Sequence, residues 1–386
     1  MRRVEVGRWK MKYSRMTRLW LEVLSVRGIS SSRWVRITHS ISLDRIGEML
    51  RSARGREELG RLICRKVSLP DQGFLERELS HLEDGPYRII SLSDSSYPAL
   101  LREVDDPPPV LYILGDLSVL ERPTICIVGS RQASRRGLLT SRGLAFDLSR
   151  RGLAVVSGMA RGIDRAAHEG ALKGEGSTCA VLGCGLDVPY PPEHVELAVE
   201  ISKQGCLMSE FPPGTPPFKH HFPQRNRILS GVSLGVVVVE AGIESGAMGT
   251  VRWAREQNRE VFAVPGPIEH AGSRGPHQLI REGAYLIEGA DDIIAELPPC
   301  GSVIERFDET MHAETLESFT ESERAVLSAL ELNPKHVDEL VQICNISAIS
   351  ILPVLLNLEM KGVVESCGGG SYALASAWKD TSTGDP

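Results

Sequence analysis

The sequence predicts an α/β protein: an extended Rossmann-like, doubly wound, mostly parallel sheet, with a small helical N-terminal domain and a C-terminal winged helix. Three observations predict it. From Thr124 onward, short β-branched runs alternate with Gly-rich turns and with helical stretches of about 10 to 15 residues. The runs are continuously apolar rather than alternating, as strands buried on both faces of a parallel sheet must be. The C-terminal region reads as three short helices followed by a hairpin with a Gly turn, the order of a winged helix.

In chain order, residues 1–85 form the helical domain. Leu19, Leu21, Val23, Leu24 and Val26 precede the break Arg27-Gly28-Ile29-Ser30, and helical spacing resumes at Ile46, Met49 and Leu50. The basic start, ahead of Met16-Thr17-Arg18-Leu19-Trp20, has the pattern of an amphipathic helix and not of a signal peptide, and Met16 is an alternative start. Residues 86–297 form the core. At its entry Pro98 and residues 105–109 forbid a long helix, and 110–115 reads as a strand ending at a turn, a joining segment or added edge. The sheet strands are expected over 125–128, 153–156, 178–182, 206–209, 234–239 and 261–264. Residues 298–317 are an acidic linker, 318–378 the winged helix and 379–386 a tail. Within the winged helix, helices are expected over Glu321–Leu330, Val337–Cys344 and 349–361, then a strand at Gly362-Val363-Val364-Glu365, a Gly368-Gly369-Gly370 turn and Tyr372-Ala373-Leu374.

Composition excludes several classes. The 386 residues are 42% hydrophobic and 24% charged, ordinary globular usage that rules out global disorder. The eight cysteines form no C-x-x-C pair and no zinc spacing, which fits a reduced, cytoplasmic setting and no metal site. No apolar run approaches the roughly 18 residues of a membrane span. The net charge of −6 is uneven: +11 over residues 1–66, −7 over 67–120, zero over 121–295 and −10 over 296–386. The basic block is a candidate polyanion contact.

Each strand of such a sheet delivers its C-terminal loop to one edge, where ligands of open α/β sheets bind. The first loop is Gly129-Ser130-Arg131, followed by Arg135, Arg136 and Gly137; exposed amides, the Ser130 hydroxyl and the Arg131 fork suit an anion. The second, Ser157-Gly158-Met159-Ala160-Arg161-Gly162-Ile163-Asp164, again sets an Arg between glycines, with Asp164 placed to cap the next helix or orient Arg161. His168 on that helix is expected to be a packing or hydrogen-bonding residue. The third, Leu182-Gly183-Cys184-Gly185-Leu186-Asp187, holds a G-x-G but runs into prolines, so the dinucleotide fingerprint fails; no Walker pattern exists either, and no cofactor is expected. The fourth, Phe218-Lys219-His220-His221-Phe222-Pro223-Gln224-Arg225-Asn226-Arg227, is densest in cations and rings, the combination used on single strands. Lys219, Arg225 and Arg227 are candidate phosphate contacts. Phe222 is either a core anchor or a base contact. The fifth, residues 240–250, is another Gly-rich turn whose amides can cradle an anion. No nucleophile, base and orienter assemble from these loops, and the pairs Asp105-Asp106 and Asp291-Asp292 read as surface.

Ile127-Val128-Gly129-Ser130-Arg131, the Ser157 to Asp164 and Leu182 to Asp187 loops, and Phe222-Pro223-Gln224-Arg225-Asn226-Arg227, in this order, resemble the DNA processing protein A (DprA, or Smf) family. Tyr97-Pro98-Ala99-Leu100-Leu101, Pro107-Pro108-Pro109-Val110-Leu111 and Val261-Phe262-Ala263-Val264-Pro265-Gly266 are similar to it as well. The resemblance is strong over residues 95–295. It implies a homodimer that binds single-stranded DNA without base specificity, protects incoming DNA and helps load the RecA recombinase in natural transformation and DNA processing, with no enzymatic chemistry. The phosphate-binding set it implies is Gly129, Ser130, Arg131, Ser157, Gly158, Arg161, Gly162, Lys219, Arg225, Asn226 and Arg227, with Phe222 at a base.

The chain departs from the family pattern in two places. Residues 24–30 look like a helix-hairpin-helix turn without its second Gly, and Ala247 stands where the family has a Ser. The winged helix, with four Lys+Arg against nine Asp+Glu over 318–386, suits a protein partner rather than a duplex. The competing reading is a nucleotide-processing Rossmann enzyme of the lysine-decarboxylase-like phosphoribohydrolase type, whose Pro-Gly-Gly turn is missing here. A winged-helix transcription regulator is a third reading, and the acidic charge argues against it.

Overall fold

A computed structural model describes residues 14–84, 86–174, 176–188, 190–297, 319–330, 334–360 and 363–374. It divides into two compact units, residues 1–300 and 301–386. The acidic linker and the tail inferred from the sequence lie outside the described residues.

Among the described residues, the first unit begins with five helices: α1 (Arg15–Leu24), α2 (Ser31–Thr38), α3 (Leu43–Leu50), α4 (Ala53–Leu62) and α5 (Gln72–Asp84). Serines start four of them. The side chains of Ser14, Ser30, Ser42 and Ser52 accept from the amides of Thr17, Arg33, Arg45 and Gly55, satisfying donors that a helix start leaves unpaired. Gly28, at φ +84°, turns the chain between α1 and α2. The apolar faces, among them Trp20, Leu21, Trp34, Ile46 and Leu50, are buried in one cluster with the sheet residues Ile89, Val110, Tyr112, Ala180, Leu182 and Leu207. Helical segment and sheet thus share a core across the boundary that the sequence suggests after residue 85.

The sheet follows: β1 (Arg88–Ser91), α6 (Ala99–Arg102), β2 (Val110–Gly115), β3 (Thr124–Val128), α7 (Arg135–Arg150), β4 (Ala154–Ser157), α8 (Ile163–Lys173), β5 (Thr178–Leu182), α9 (Val195–Gln204), β6 (Cys206–Ser209), α10 (His221–Gly231), β7 (Gly235–Val238), α11 (Gly246–Glu256), β8 (Glu260–Ala263), α12 (Arg274–Arg281), β9 (Tyr285–Leu286) and α13 (Ala290–Glu296). The spatial order is β1-β2-β6-β5-β4-β3-β7-β8-β9. β3 to β9 run parallel, in register such as Ile125 beside Gly235 and Cys179 beside Cys206. β2 pairs antiparallel with β6, and β1 antiparallel with β2. The segment read as an added edge is therefore the second strand in, with β1 outside it. Strand order reverses between β3 and β7, the switch point of the sheet.

Of the two acidic pairs read as surface, Asp105, Asp291 and Asp292 are exposed and Asp106 is half-buried. Asp106 forms an ion pair with the buried Arg227, and Asp292 accepts the Glu288 and Gly289 amides at the start of α13. Its neighbour Asp291 pairs with Arg151. Among the described residues no helix is long and apolar enough to cross a membrane.

The second unit holds α14 (Glu321–Leu330), β10 (Lys335–His336), α15 (Val337–Cys344), α16 (Ala348–Met360), β11 (Val364–Gly368) and β12 (Ser371–Leu374), its three strands ordered β10-β12-β11. Val326, Leu330, Leu340, Ile351, Leu355 and Leu358 fill its core. Leu352 and Leu356, one turn apart on α16, are more than half exposed.

Candidate nucleic-acid interface

The first loop sits so close to its neighbours that side chains are excluded. A Cβ on Gly129 would stand 2.6 Å from Ile163 Cγ1 and 2.7 Å from the Glu240 carbonyl oxygen. Ser130 donates its amide to that same carbonyl, at 2.6 Å, and accepts the Ile163 amide on its own carbonyl, at 3.2 Å. Its hydroxyl accepts the Gln132 amide at 3.1 Å. The turn is held rigid from both sides, and Arg131 projects from it, exposed, with its guanidinium carbon 5.7 Å from the centroid of the Phe222 ring.

The second loop meets the first through Gly162. At φ +77°, a Cβ there would lie 2.2 Å from the Ser130 carbonyl oxygen, so only glycine serves. Ser157 is not a phosphate ligand: its buried hydroxyl donates to the Ile127 carbonyl at 2.7 Å and ties β4 to β3. Arg161 is exposed and paired with Glu193, whose carboxyl the guanidinium holds at about 2. Asp164 therefore does not orient Arg161. It is 5% exposed and accepts the Ala160 amide at 3.3 Å at the start of α8; burial pushes its carboxyl up, and Arg225 opposes that rise. His168 is fully buried with Nδ1 on the Thr178 hydroxyl, and burial drives it down to about 3, so it stays neutral in the core.

Residues of α10 divide sharply. Arg225 is 4% exposed and donates to the carbonyl oxygens of Gly158, at 2.9 Å, and Val181. A Cβ on Gly158 would stand 2.6 Å from Arg225 Nη2 and 2.8 Å from Asp164 Oδ2, so guanidinium and carboxylate meet over that glycine. Arg227 is 3% exposed, donates to Glu210 at 2.7 Å and lies 3.4 Å from Asp106. Both arginines, expected at phosphates, point inward. They brace the loops instead, because charges this deep are retained only when paired. Asn226 is turned the other way and donates to the Gly246 carbonyl at 3.2 Å, linking the fourth loop to the fifth.

What remains outward is a small group. Lys219 is exposed and has no ion-pair partner among the described residues. Phe222 is half-buried, seated over Gly183, whose Cβ would come 3.0 Å from its ring, and against Tyr190 with ring centroids 5.4 Å apart. One ring face thus belongs to the protein, and the Arg131 guanidinium stands over the ring. Arg131 and Phe222 are brought together at one loop edge, and Lys219 lies exposed three residues before Phe222 in the chain; Arg225, Arg227 and the Ser157 hydroxyl are turned inward, away from that surface. The residue that sequence reasoning missed is Glu240, which opens the fifth loop and whose backbone and side chain organise the first. Its only sequence signal is a carboxylate directly after a buried strand.

Fold and site define a class: a doubly wound α/β protein with a cation-bearing, ring-bearing loop edge, joined to a winged-helix unit. The chain belongs to the DprA (Smf) family. Residues 88–298 match the family profile described as DNA recombination-mediator protein A, and residues 311–370 match the DprA winged helix domain. Protein Smf of Escherichia coli (strain K12) is 39% identical over 291 residues, covering 73% of this chain and 75% of that protein. The DNA processing protein DprA of Streptococcus pneumoniae (strain R6) is 40% identical over 235 residues, 60% of this chain and 83% of its own length. The X-ray structure of DprA from Streptococcus pneumoniae superposes with a TM-score of 0.55 at 33% identity, covering 70% of this chain and 99% of that one. A structure of DprA from Helicobacter pylori, described for its single-stranded DNA binding mode, superposes with a TM-score of 0.50 at 29% identity, covering 54% and 94%.

Proposed function

We propose that this chain is a cytoplasmic single-stranded DNA-binding protein that protects incoming DNA and helps load RecA in natural transformation and DNA processing, without chemistry of its own. The observation that carries the reading is the outward set: Arg131 over the half-exposed ring of Phe222, with Lys219 exposed on the adjoining loop as a second phosphate cation. A strand backbone would run along this edge, with the Gly129-Ser130 turn beneath it and Arg161 joining once Glu193 releases it. Cations on phosphates with one ring for a base give affinity without sequence reading. The single-strand binding mode described for the Helicobacter pylori relative supports the same assignment.

We further propose a homodimer. Tyr285 and Leu286 of the edge strand β9 and Ile268, 80% exposed, are apolar groups that a second copy would cover. The acidic winged helix, with Leu352 and Leu356 exposed on α16, is assigned to a protein partner. The test is a gel-shift series with single-stranded and duplex oligonucleotides across salt concentrations, together with sedimentation to read oligomeric state. Preferential single-strand binding that weakens with salt is expected; equal affinity for blunt duplex overturns the reading. Release of free base from nucleoside monophosphates would favour the enzyme instead.

A further inference from the structure

Nucleotides bound to open doubly wound sheets sit at the switch point, with a phosphate at the N-terminus of the helix that follows the first strand. In this chain the corresponding place lies between β3 and β7, at the start of α7. It is already filled by an anion. Glu240, two residues beyond β7, reaches across the switch point and accepts the Ser134 amide at 2.9 Å on Oε2 and the Ser134 hydroxyl at 2.5 Å on Oε1. The carboxylate rests directly on the first turn of α7. A Cβ on Gly137 would stand 2.5 Å from Glu240 Cδ and 2.6 and 2.7 Å from its two oxygens. His270 Nε2 approaches Oε2 to 3.5 Å from the far side, and the Glu240 side chain is 11% exposed. The Ser134 hydroxyl in turn accepts the Gly137 amide at 3.0 Å, completing the cap.

We propose that Glu240 is a specificity-determining residue: its carboxylate takes the place of a nucleotide phosphate at the switch point, bars free nucleotides from the crevice and confines phosphate contact to the outward cations Arg131 and Lys219. The same residue that closes the crevice with its side chain also shapes the strand-binding loop with its backbone, because the Glu240 carbonyl holds the Ser130 amide. A polymer strand crossing the loop edge gains contacts from several phosphates and does not need the crevice, whereas a mononucleotide has a single phosphate to set against the outward cations and gains little there without it. The inference deepens the single-strand reading and rests on it.

The experiment compares the full chain with Glu240→Ala, which empties the seat, and Glu240→Gln, which keeps its volume without the charge. Melting temperature is followed in inorganic phosphate and in dAMP, against chloride at equal ionic strength, while single-strand affinity is measured separately. A ligand that binds only the folded state raises melting, by an amount that grows with the logarithm of its concentration once that exceeds Kd. The wild-type melting temperature is expected not to move, Glu240→Ala to gain several degrees in both ligands, and Glu240→Gln to gain less. Equal gains in wild type and variants, or no gain in either folded variant, overturn the proposal. Should Glu240→Ala fail to fold, Glu240→Gln carries the comparison. Loss of single-strand binding by the wild type would overturn the strand-binding reading instead, and the phosphate response would still decide the role of Glu240.

Discussion

Two arginines two residues apart on α10, and one on the loop it faces, separate the structural from the functional use of a cation. Arg131 is exposed with no ion-pair neighbour among the described residues, while Arg225 is buried between Asp164 and two carbonyl oxygens. Arg131→Ala and Lys219→Ala are therefore expected to leave the melting temperature within about 1 °C of wild type, as exposed substitutions do. Each should weaken single-strand binding by the roughly 1.5 to 3 kcal/mol of a charge-assisted hydrogen bond. Arg225→Met should do the reverse. It leaves Asp164 buried beside an empty guanidinium site, a defect of about 3 to 5 kcal/mol, and melting should fall by on the order of 10 °C. Thermal melts paired with binding isotherms check both; an Arg225→Met protein with wild-type melting and lost affinity would restore it to the binding surface. The sequence reveals these cations but not their direction. Gln224-Arg225-Asn226-Arg227 reads as an exposed basic run because its carboxylate partners, Asp164, Glu210 and Asp106, come from three other segments.

At the scale of elements, strands were legible where burial is complete and illegible where it is not. The core strands match continuous apolar runs to within a residue or two, since both faces must be apolar. β9 is two exposed residues on the sheet edge, and β1 is a four-residue edge strand, neither long enough to stand out from loop sequence. The helical N-terminal segment was legible from its apolar spacing, but its attachment to the sheet was not, because the shared apolar core and the bridging Asp94 that make it join residues far apart in the chain. Asp94 accepts from the Thr17 hydroxyl of α1 at 2.8 Å and from both the amide and hydroxyl of Ser91 in β1 at 2.7 Å. Burial pushes its carboxyl up, but hydrogen bonds from Ser14, Ser91 and Thr17 outweigh it and hold it below the usual 3.8. A carboxyl depressed in the folded state stabilises fully above its unfolded value and loses that contribution as pH falls through the folded one. Asp94→Asn should thus be less stable than wild type at pH 7, with the gap closing below about pH 4. Urea titrations at a series of pH values test this, and a gap that persists unchanged at pH 2.5 would assign the effect to shape rather than charge.

For the whole molecule the decisive quantity is where the charge lies. Every cation assigned to phosphate precedes Leu297, and residues 296–386 carry −10. A chain ending at Leu297 should therefore keep its single-strand affinity or gain slightly. The gain should be largest at low ionic strength, where charges act over about 30 Å at 0.01 M salt, and vanish near 0.15 M, where they act over about 8 Å. Log affinity against log salt should fall with a slope of about −0.7 for each phosphate neutralised, and Arg131→Ala should reduce that slope by about one contact. The truncated chain must share the oligomeric state of the full one, because two linked copies engage one strand with far higher avidity than either alone. The first unit has its own core, made of residues before 298, so the truncation removes none of the packing that supports the loops. What it deletes is the unit in which exposed Leu352 and Leu356 accompany an acidic surplus, a surface suited to a protein and not to a phosphate backbone. A loss of tenfold or more in single-strand affinity, in a truncated protein whose melting and sedimentation match the intact chain, would assign direct DNA contact to the winged helix and overturn the charge argument.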